Sequence, residues 1–170
     1  DSSLGNQVDT AYITANSANN KIDNLSIGGR NLFAITKTVD GHESQGNITA
    51  NSAIHRTMSD LVDIGDTKSL IYQIWNPNKT INTRDSNRVA FFTEADVYIS
   101  SVSIPKINDS TYQILKIDVP TNARKARLGA IMGVGTVDPL IKIKFEKGDK
   151  PTDWTPAPED VEQMIQDQQI

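Results

Sequence analysis

Cysteine is absent from this chain. A disulfide framework and a cysteine-based zinc site are therefore excluded. Imidazole is scarce: His42 and His55 are the only two histidines. Both lie in polar sequence with no nucleophile motif beside them and read as ordinary surface histidines. Long apolar runs are missing too. None approaches the roughly 18 residues that a membrane span requires, and the polar N-terminus argues against a signal peptide. There is no basic surplus either, since 17 lysines and arginines face 21 aspartates and glutamates, for a net charge of −4. A domain-wide basic field for nucleic acid is excluded. The short cluster Arg124-Lys125-Arg127 reads as a solvated turn plus one strand arginine. At 170 residues and 37% hydrophobic, the chain fits one soluble domain with a sizeable core and polar appendages.

The chain opens with a thin apolar stripe. Leu4, Val8, Ala11, Ala15, Ala18, Ile22 and Leu25 alternate spacings of four and three residues, the seam of a coiled coil with a period of about 3.5. Such an Ala-rich stripe is marginal as a lone helix. It predicts a short coiled coil joining copies of the chain, or a helix packed on the chain's own domain. Gly28-Gly29 would end it.

From there to about residue 146 the pattern is β. Leu70, Tyr72 and Ile74 alternate with Ile71, Gln73 and Trp75. Val89 and Phe91 alternate with Arg88, Ala90 and Phe92. Leu115, Ile117 and Val119 alternate with Ile114, Lys116 and Asp118. Ile143 and Phe145 alternate with Lys142, Lys144 and Glu146. Each run is a period-two strand, and residues 127 to 134 are strand-like as well. Turn clusters at Asn76-Pro77-Asn78, Asn108-Asp109-Ser110, Pro120-Thr121-Asn122 and Gly133-Val134-Gly135 separate them. Many short strands predict a mainly β fold, an antiparallel β-sandwich. Beyond Pro158 the period turns helical again: Glu159-Asp160 suits a helix N-terminus, and Val161, Met164 and Ile165 form a stripe. The predicted segments are a coiled-coil helix over 1–26, a β domain over 27–155, and a spacer with the start of a second helix over 156–170.

The outgoing stretch Ile143 to Asp160, "IKFEKGDKPTDWTPAPED", holds three of the seven prolines and one of the two tryptophans. Its reading is a strand, a turn at Lys147-Gly148-Asp149-Lys150-Pro151, a Trp154 lid over the end of the sandwich, and a stiff Pro156-x-Pro158 spacer.

Together with "IGGRNLF" (Ile27 to Phe33), this stretch resembles the boundaries of carbohydrate-binding modules in tail proteins of phages of lactococci, streptococci and related Gram-positive bacteria. The resemblance covers about residues 27 to 160 and is strongest at the two ends. It implies a jelly-roll-like sandwich and a receptor-binding part of a baseplate or tail fibre. Such a module binds host cell-wall polysaccharide without cleaving it, among other tail proteins in the virion. For the homo-oligomer that the seam predicts, it favours a trimer over a dimer; no membrane or nucleic-acid partner and no cofactor is expected. The ends identify the module and leave the contact residues open.

Those contacts are sought in side-chain chemistry. A sugar offers an apolar ring face and a rim of hydroxyls, matched by an aromatic platform beside planar polar groups. The faces opposite the clearest core stripes carry Gln73, Trp75, Arg88, Phe92, Tyr112, Lys116 and Arg127. If their strands share a sheet, these residues line one open face. The alternative makes Trp75 and Phe92 core and turns Leu70, Tyr72 and Ile74 outward. Should both fail, the amide-rich loops at residues 76–78 and 82–87 are next. Glu94 and Asp96 tempt as a glycosidase pair on one strand face, but nothing near them suggests activation, so no catalytic residue is expected. Asp60, Asp63 and Asp66 are the candidates for a structural calcium. Their spacing does not fit an EF-hand loop, and solvated carboxylates are the simpler reading. Triplets such as Asn47-Ile48-Thr49 and Asn78-Lys79-Thr80 are read as chance.

Overall fold

The computed structural model describes residues 29–50, 55–81, 86–107, 110–132 and 139–168. The predicted seam over residues 1 to 26 lies outside the described residues, as does the turn at Gly133-Val134-Gly135. In chain order the strands are β1 (Thr38–Asp40), β2 (His42–Ser44), β3 (Asn47–Thr49), β4 (His55–Met58), β5 (Val62–Asp63), β6 (Ser69–Trp75), β7 (Arg88–Phe92), β8 (Tyr98–Ser103), β9 (Tyr112–Asp118), β10 (Lys125–Arg127), β11 (Gly129–Ile131) and β12 (Lys142–Lys147). A 3-10 turn, Ile35–Lys37, precedes them, and one α-helix, α1 (Pro158–Gln168), follows. The fold is mainly β, and the strand pairings are antiparallel. Among the described residues no helix is long and apolar enough to cross a membrane.

Alternation decides which side of each strand is inside. In the sheet β12-β6-β9, Tyr72 lies opposite Phe145 and Leu115, and Ile74 opposite Ile143. Leu70, Tyr72, Ile74, Ile117, Ile143 and Phe145 all enter the core. In the sheet β5-β10-β7-β8 the inward residues are Val89, Phe91 and Ala126. Side chains of the two sheets therefore meet in one core. Burying a side chain the size of Tyr72 or Phe145, each nearly inaccessible, contributes roughly 1.5 to 3 kcal/mol. The inward stripe of β6 is Leu70, Tyr72 and Ile74, so Gln73 and Trp75 point away from the core.

The third sheet, β1-β4-β11, joins the second through Leu128 between β10 and β11. Asn87 knits this corner. Its Oδ1 accepts from the backbone N–H of Glu43 (3.0 Å) and Arg88 (2.8 Å), and its Nδ2 donates to the Ala130 carbonyl (2.9 Å) and Thr57 Oγ1 (3.0 Å).

The chain enters and leaves the domain side by side. Leu32 N–H donates to the Phe145 carbonyl at 2.7 Å, so the incoming segment lies beside β12. Asn31 is the clamp. Its Oδ1 accepts from Phe33 N–H (2.9 Å) and Phe145 N–H (3.1 Å), and its Nδ2 donates to the carbonyls of Ile143 (2.8 Å) and Thr155 (3.1 Å). Asp160 in the first turn of α1 accepts from the N–H groups of Ile35 (3.1 Å) and Thr36 (3.0 Å), and Arg30 pairs with Glu159 at 3.1 Å. Ala157, between the two prolines, is fully buried in the core. The Pro-x-Pro stretch is therefore docked rather than a free spacer.

Candidate functional site

Past β12 the chain folds back on the sheet's outer face. Gly148 makes the turn with φ at +119°, in the left-handed range that side chains disfavour. Its N–H donates to the Ser69 carbonyl (3.0 Å), and Ser69 Oγ donates to the Gly148 carbonyl (2.7 Å). Residues Pro151–Asp153 then cross β12 and β6 as a strap. Thr152 anchors it: its N–H donates to Glu146 Oε1 (2.7 Å), its Oγ1 to Glu146 Oε2 (2.5 Å), and its carbonyl accepts from Gln73 Nε2 (3.0 Å). Lys144 Nζ donates to Thr152 Oγ1 (2.9 Å) and the Asp153 carbonyl (2.5 Å). Beneath the strap Lys144 and Glu146 form an ion pair at 3.5 Å with both side chains 0% exposed. Burial pulls the Lys144 ammonium below the usual lysine range, and the Glu146 carboxylate offsets part of that pull.

The strap forms one wall of an open cleft of about 260 Å³ lined by Gln73, Trp75, Tyr112, Pro151, Thr152 and Asp153. Trp75 and Tyr112 face each other across β6 and β9, with ring centroids 5.5 Å apart and planes tilted by 47°. The Tyr112 hydroxyl donates to Gln73 Oε1 at 2.7 Å. Partial burial, and then the Glu146 charge, hold this phenol above its ordinary range. Trp75 is half-buried and Tyr112 is exposed. The side chains thus form one chain of contacts: Tyr112 holds Gln73, Gln73 holds Thr152, and Thr152 sits on the buried pair. An apolar ring floor beside planar polar groups is the arrangement that a sugar ring fits.

Of the residues predicted to contact ligand, the structure brings Gln73, Trp75 and Tyr112 together. Lys116 shares their face but lies beside Ile71, two residues further along the sheet, and does not line the cleft. The expectation of one face carrying the remaining three is corrected. Arg88 and Phe92 on β7 and Arg127 on β10 belong to the other sheet and point away from the shared core on that side. There Arg127 stacks over the Phe92 ring at 5.6 Å and donates to the Gly46 carbonyl at 2.6 Å. Phe92 is buried.

Other expectations shift as well. Trp154 is not a lid on the core: it lies outside the core cluster, half-buried, with the Lys142 ammonium 4.5 Å from its ring centre. Glu94 and Asp96 are not on a strand face, since β7 ends at Phe92 and both sit in the exposed turn that follows. Asp96 pairs with Lys125 at 2.7 Å. His55 is buried and its ring packs on His42 at 5.5 Å, so it is not a surface histidine. Asp60 and Asp63 line a second cleft, of about 360 Å³, facing Lys37, Lys147 and Arg30. Among the described residues no three His, Asp or Glu side chains form a metal-ligand group. The amides of Asn76 and Asn87 are fully buried and committed to backbone partners, which removes them as ligand contacts.

The sequence reading missed Thr152 and Asp153 as a wall and Lys144 and Glu146 as its support. The available signal was a Lys and a Glu two residues apart on one strand face, followed by a Gly turn and Thr-Asp. The chain matches no protein family, no characterised protein and no solved structure.

Proposed function

We propose that this chain is a non-catalytic saccharide-binding module of a phage tail adhesion device, a jelly-roll-like sandwich that attaches the virion to host cell-wall polysaccharide at a baseplate or fibre tip. The observation that carries the reading is the Trp75–Tyr112 floor with Gln73 at its base and an open polar wall beside it. The resemblance of the two boundary stretches supplies the biological setting. The stitching of those same stretches to each other suits a cassette carried within a longer tail protein, since incoming and outgoing chain lie together. Homo-oligomers, trimers in preference to dimers, assembled through coiled-coil helices would turn weak sugar sites into firm attachment.

A second reading, a spacer or assembly module that binds no sugar, draws on α1. No residue of this helix is buried, and Met164 on its apolar stripe is 60% exposed. Titration of the chain with purified cell-wall polysaccharides from a panel of lactococcal and streptococcal strains separates the two. Saturable binding to one of them is expected, and a folded oligomer that binds none overturns the saccharide reading in favour of the spacer.

A further inference from the structure

Asp153 stands apart from its neighbours in the strap. Its backbone carbonyl is pinned by the buried Lys144 ammonium. Asp153 lines the cleft and is exposed, its carboxylate makes no hydrogen bond or ion pair among the described residues, and its charge acts on the Lys144 ammonium beneath the strap. Gln73 and Thr152 are already engaged: Gln73 uses its amide nitrogen on Thr152 and its oxygen on Tyr112, and Thr152 uses N–H, hydroxyl and carbonyl. A carboxylate accepts up to four hydrogen bonds and can take two adjacent donors at once. Two neighbouring hydroxyls on a sugar ring are such donors. A ring stacked on Trp75 and Tyr112 would direct its hydroxyl rim at the wall, where Asp153 stands.

We infer that Asp153 is the hydroxyl-binding, specificity-determining residue of this cleft, selecting uncharged sugars with a vicinal diol, and that the buried Lys144–Glu146 pair aims it through Thr152 and through the Asp153 carbonyl. The inference rests on the saccharide reading above and deepens it. The selection against charge follows from sign: an acidic sugar or a phosphate against the wall would meet the exposed Asp153 carboxylate, whose nearby cation, Lys144, is already shared with Glu146. Lys144 and Glu146 touch no ligand in this scheme. They are positioning residues, because they fix the strap from which Asp153 projects.

Three variants test it. Asp153→Asn keeps the shape and one acceptor but loses the charge. It is expected to bind the polysaccharide recognised by the parent about ten-fold or more weakly, the loss of charge-assisted hydrogen bonding, with an unchanged melting temperature. It should also narrow the gap between neutral and phosphate-bearing polysaccharides. Thr152→Val leaves the ion pair in place and removes the hydroxyl that both of its members bind, while the bonds from Lys144 to the Asp153 carbonyl and from Thr152 N–H to Glu146 remain. The aiming role predicts weaker binding with the fold intact. A ligand-independent readout accompanies it: in a Trp154→Phe background, where Trp75 is the remaining tryptophan, Thr152→Val should raise acrylamide quenching of Trp75 as the strap loosens. Asp153→Asn binding as tightly as the parent overturns the hydroxyl-binding role. Unchanged quenching overturns the aiming role, and so does increased quenching with undiminished affinity. A parent that binds no polysaccharide sinks the saccharide reading and Asp153's role with it, while the quenching result still decides whether the buried pair holds the strap.

Discussion

Trp75 had two incompatible readings in the sequence because both stripes of its strand are apolar. What separates them is the partner strands. Tyr72 meets Phe145 and Leu115 inside, while Trp75 meets Lys142 and Tyr112 outside, and no single-strand pattern contains that information. Trp75→Ala should therefore leave the core intact. Its melting temperature is expected within a few degrees of the parent, while saccharide affinity falls about ten- to a hundred-fold. Losing a stacking face of some tens of Å² at roughly 25 cal/mol per Å² gives a loss of that order. A variant that unfolds instead would return Trp75 to the core, and one that is stable with full affinity would move the site off this face. Trp154 shows the converse limit. A lone tryptophan before two prolines looks like a core plug, but Ala157 enters the core instead, and the indole rests against a lysine.

At the scale of elements, legibility followed length and period. β6, β7, β9 and β12 each carry two or three alternating apolar residues, and all four were readable. β1 to β5 have two to four residues apiece, too few to display a period. β8 was hidden for a different reason. The register shifts between Phe91 and Phe92, so its core-packing residues Ile99 and Val102 stand three apart and break the alternation that marks a strand. The strap was the least legible element. Lys144 and Glu146 look like a solvated strand face, and only the fold-back at Gly148 makes them buried. A buried pair broken on one side leaves an uncompensated charge, which costs about 3 to 5 kcal/mol. Lys144→Met and Glu146→Leu should each lose that much in denaturant unfolding. The double variant should lose less than their sum, and strict additivity would show that the pair is not coupled. The sign with pH is fixed too. Because the folded-state value of Lys144 is lowered, the folded chain releases this proton before the unfolded chain does. Unfolding then takes up a proton, so stability rises with pH between the lowered value and the usual lysine range. At lower pH lysine is charged in both states and that slope vanishes. Relative to Lys144→Met, the parent should gain stability from pH 7 to pH 10; a constant difference would contradict the shift.

For the whole molecule, the mainly β class was legible because several independent strands agreed on it. The assignment of faces was not, since it depends on which strands share a sheet. Seven side chains expected on one surface fall on two: Gln73, Trp75, Tyr112 and Lys116 on β6 and β9, and Arg88, Phe92 and Arg127 on β7 and β10. The closure of the domain is set by its two ends. Asn31 sits 112 residues from Ile143 and 124 from Thr155, yet binds both. Its amide satisfies two backbone donors and two backbone acceptors that no other side chain reaches in the described residues. Asn31→Ala would remove all four partners at once. Each orphaned buried group costs about 1 to 3 kcal/mol, partly relieved where water can enter beside Thr155. The expected loss is therefore at least about 3 kcal/mol of global stability. Because the clamp joins the incoming segment to β12, the loss should be accompanied by faster amide exchange at Phe33 and Phe145, while Asn87 and its neighbours at the far corner keep their protection. A melting temperature equal to the parent's would show that Leu32, Ala157 and Asp160 hold the two ends without Asn31. Loss of protection spread evenly over every strand would show instead that the ends and the core unfold as one unit.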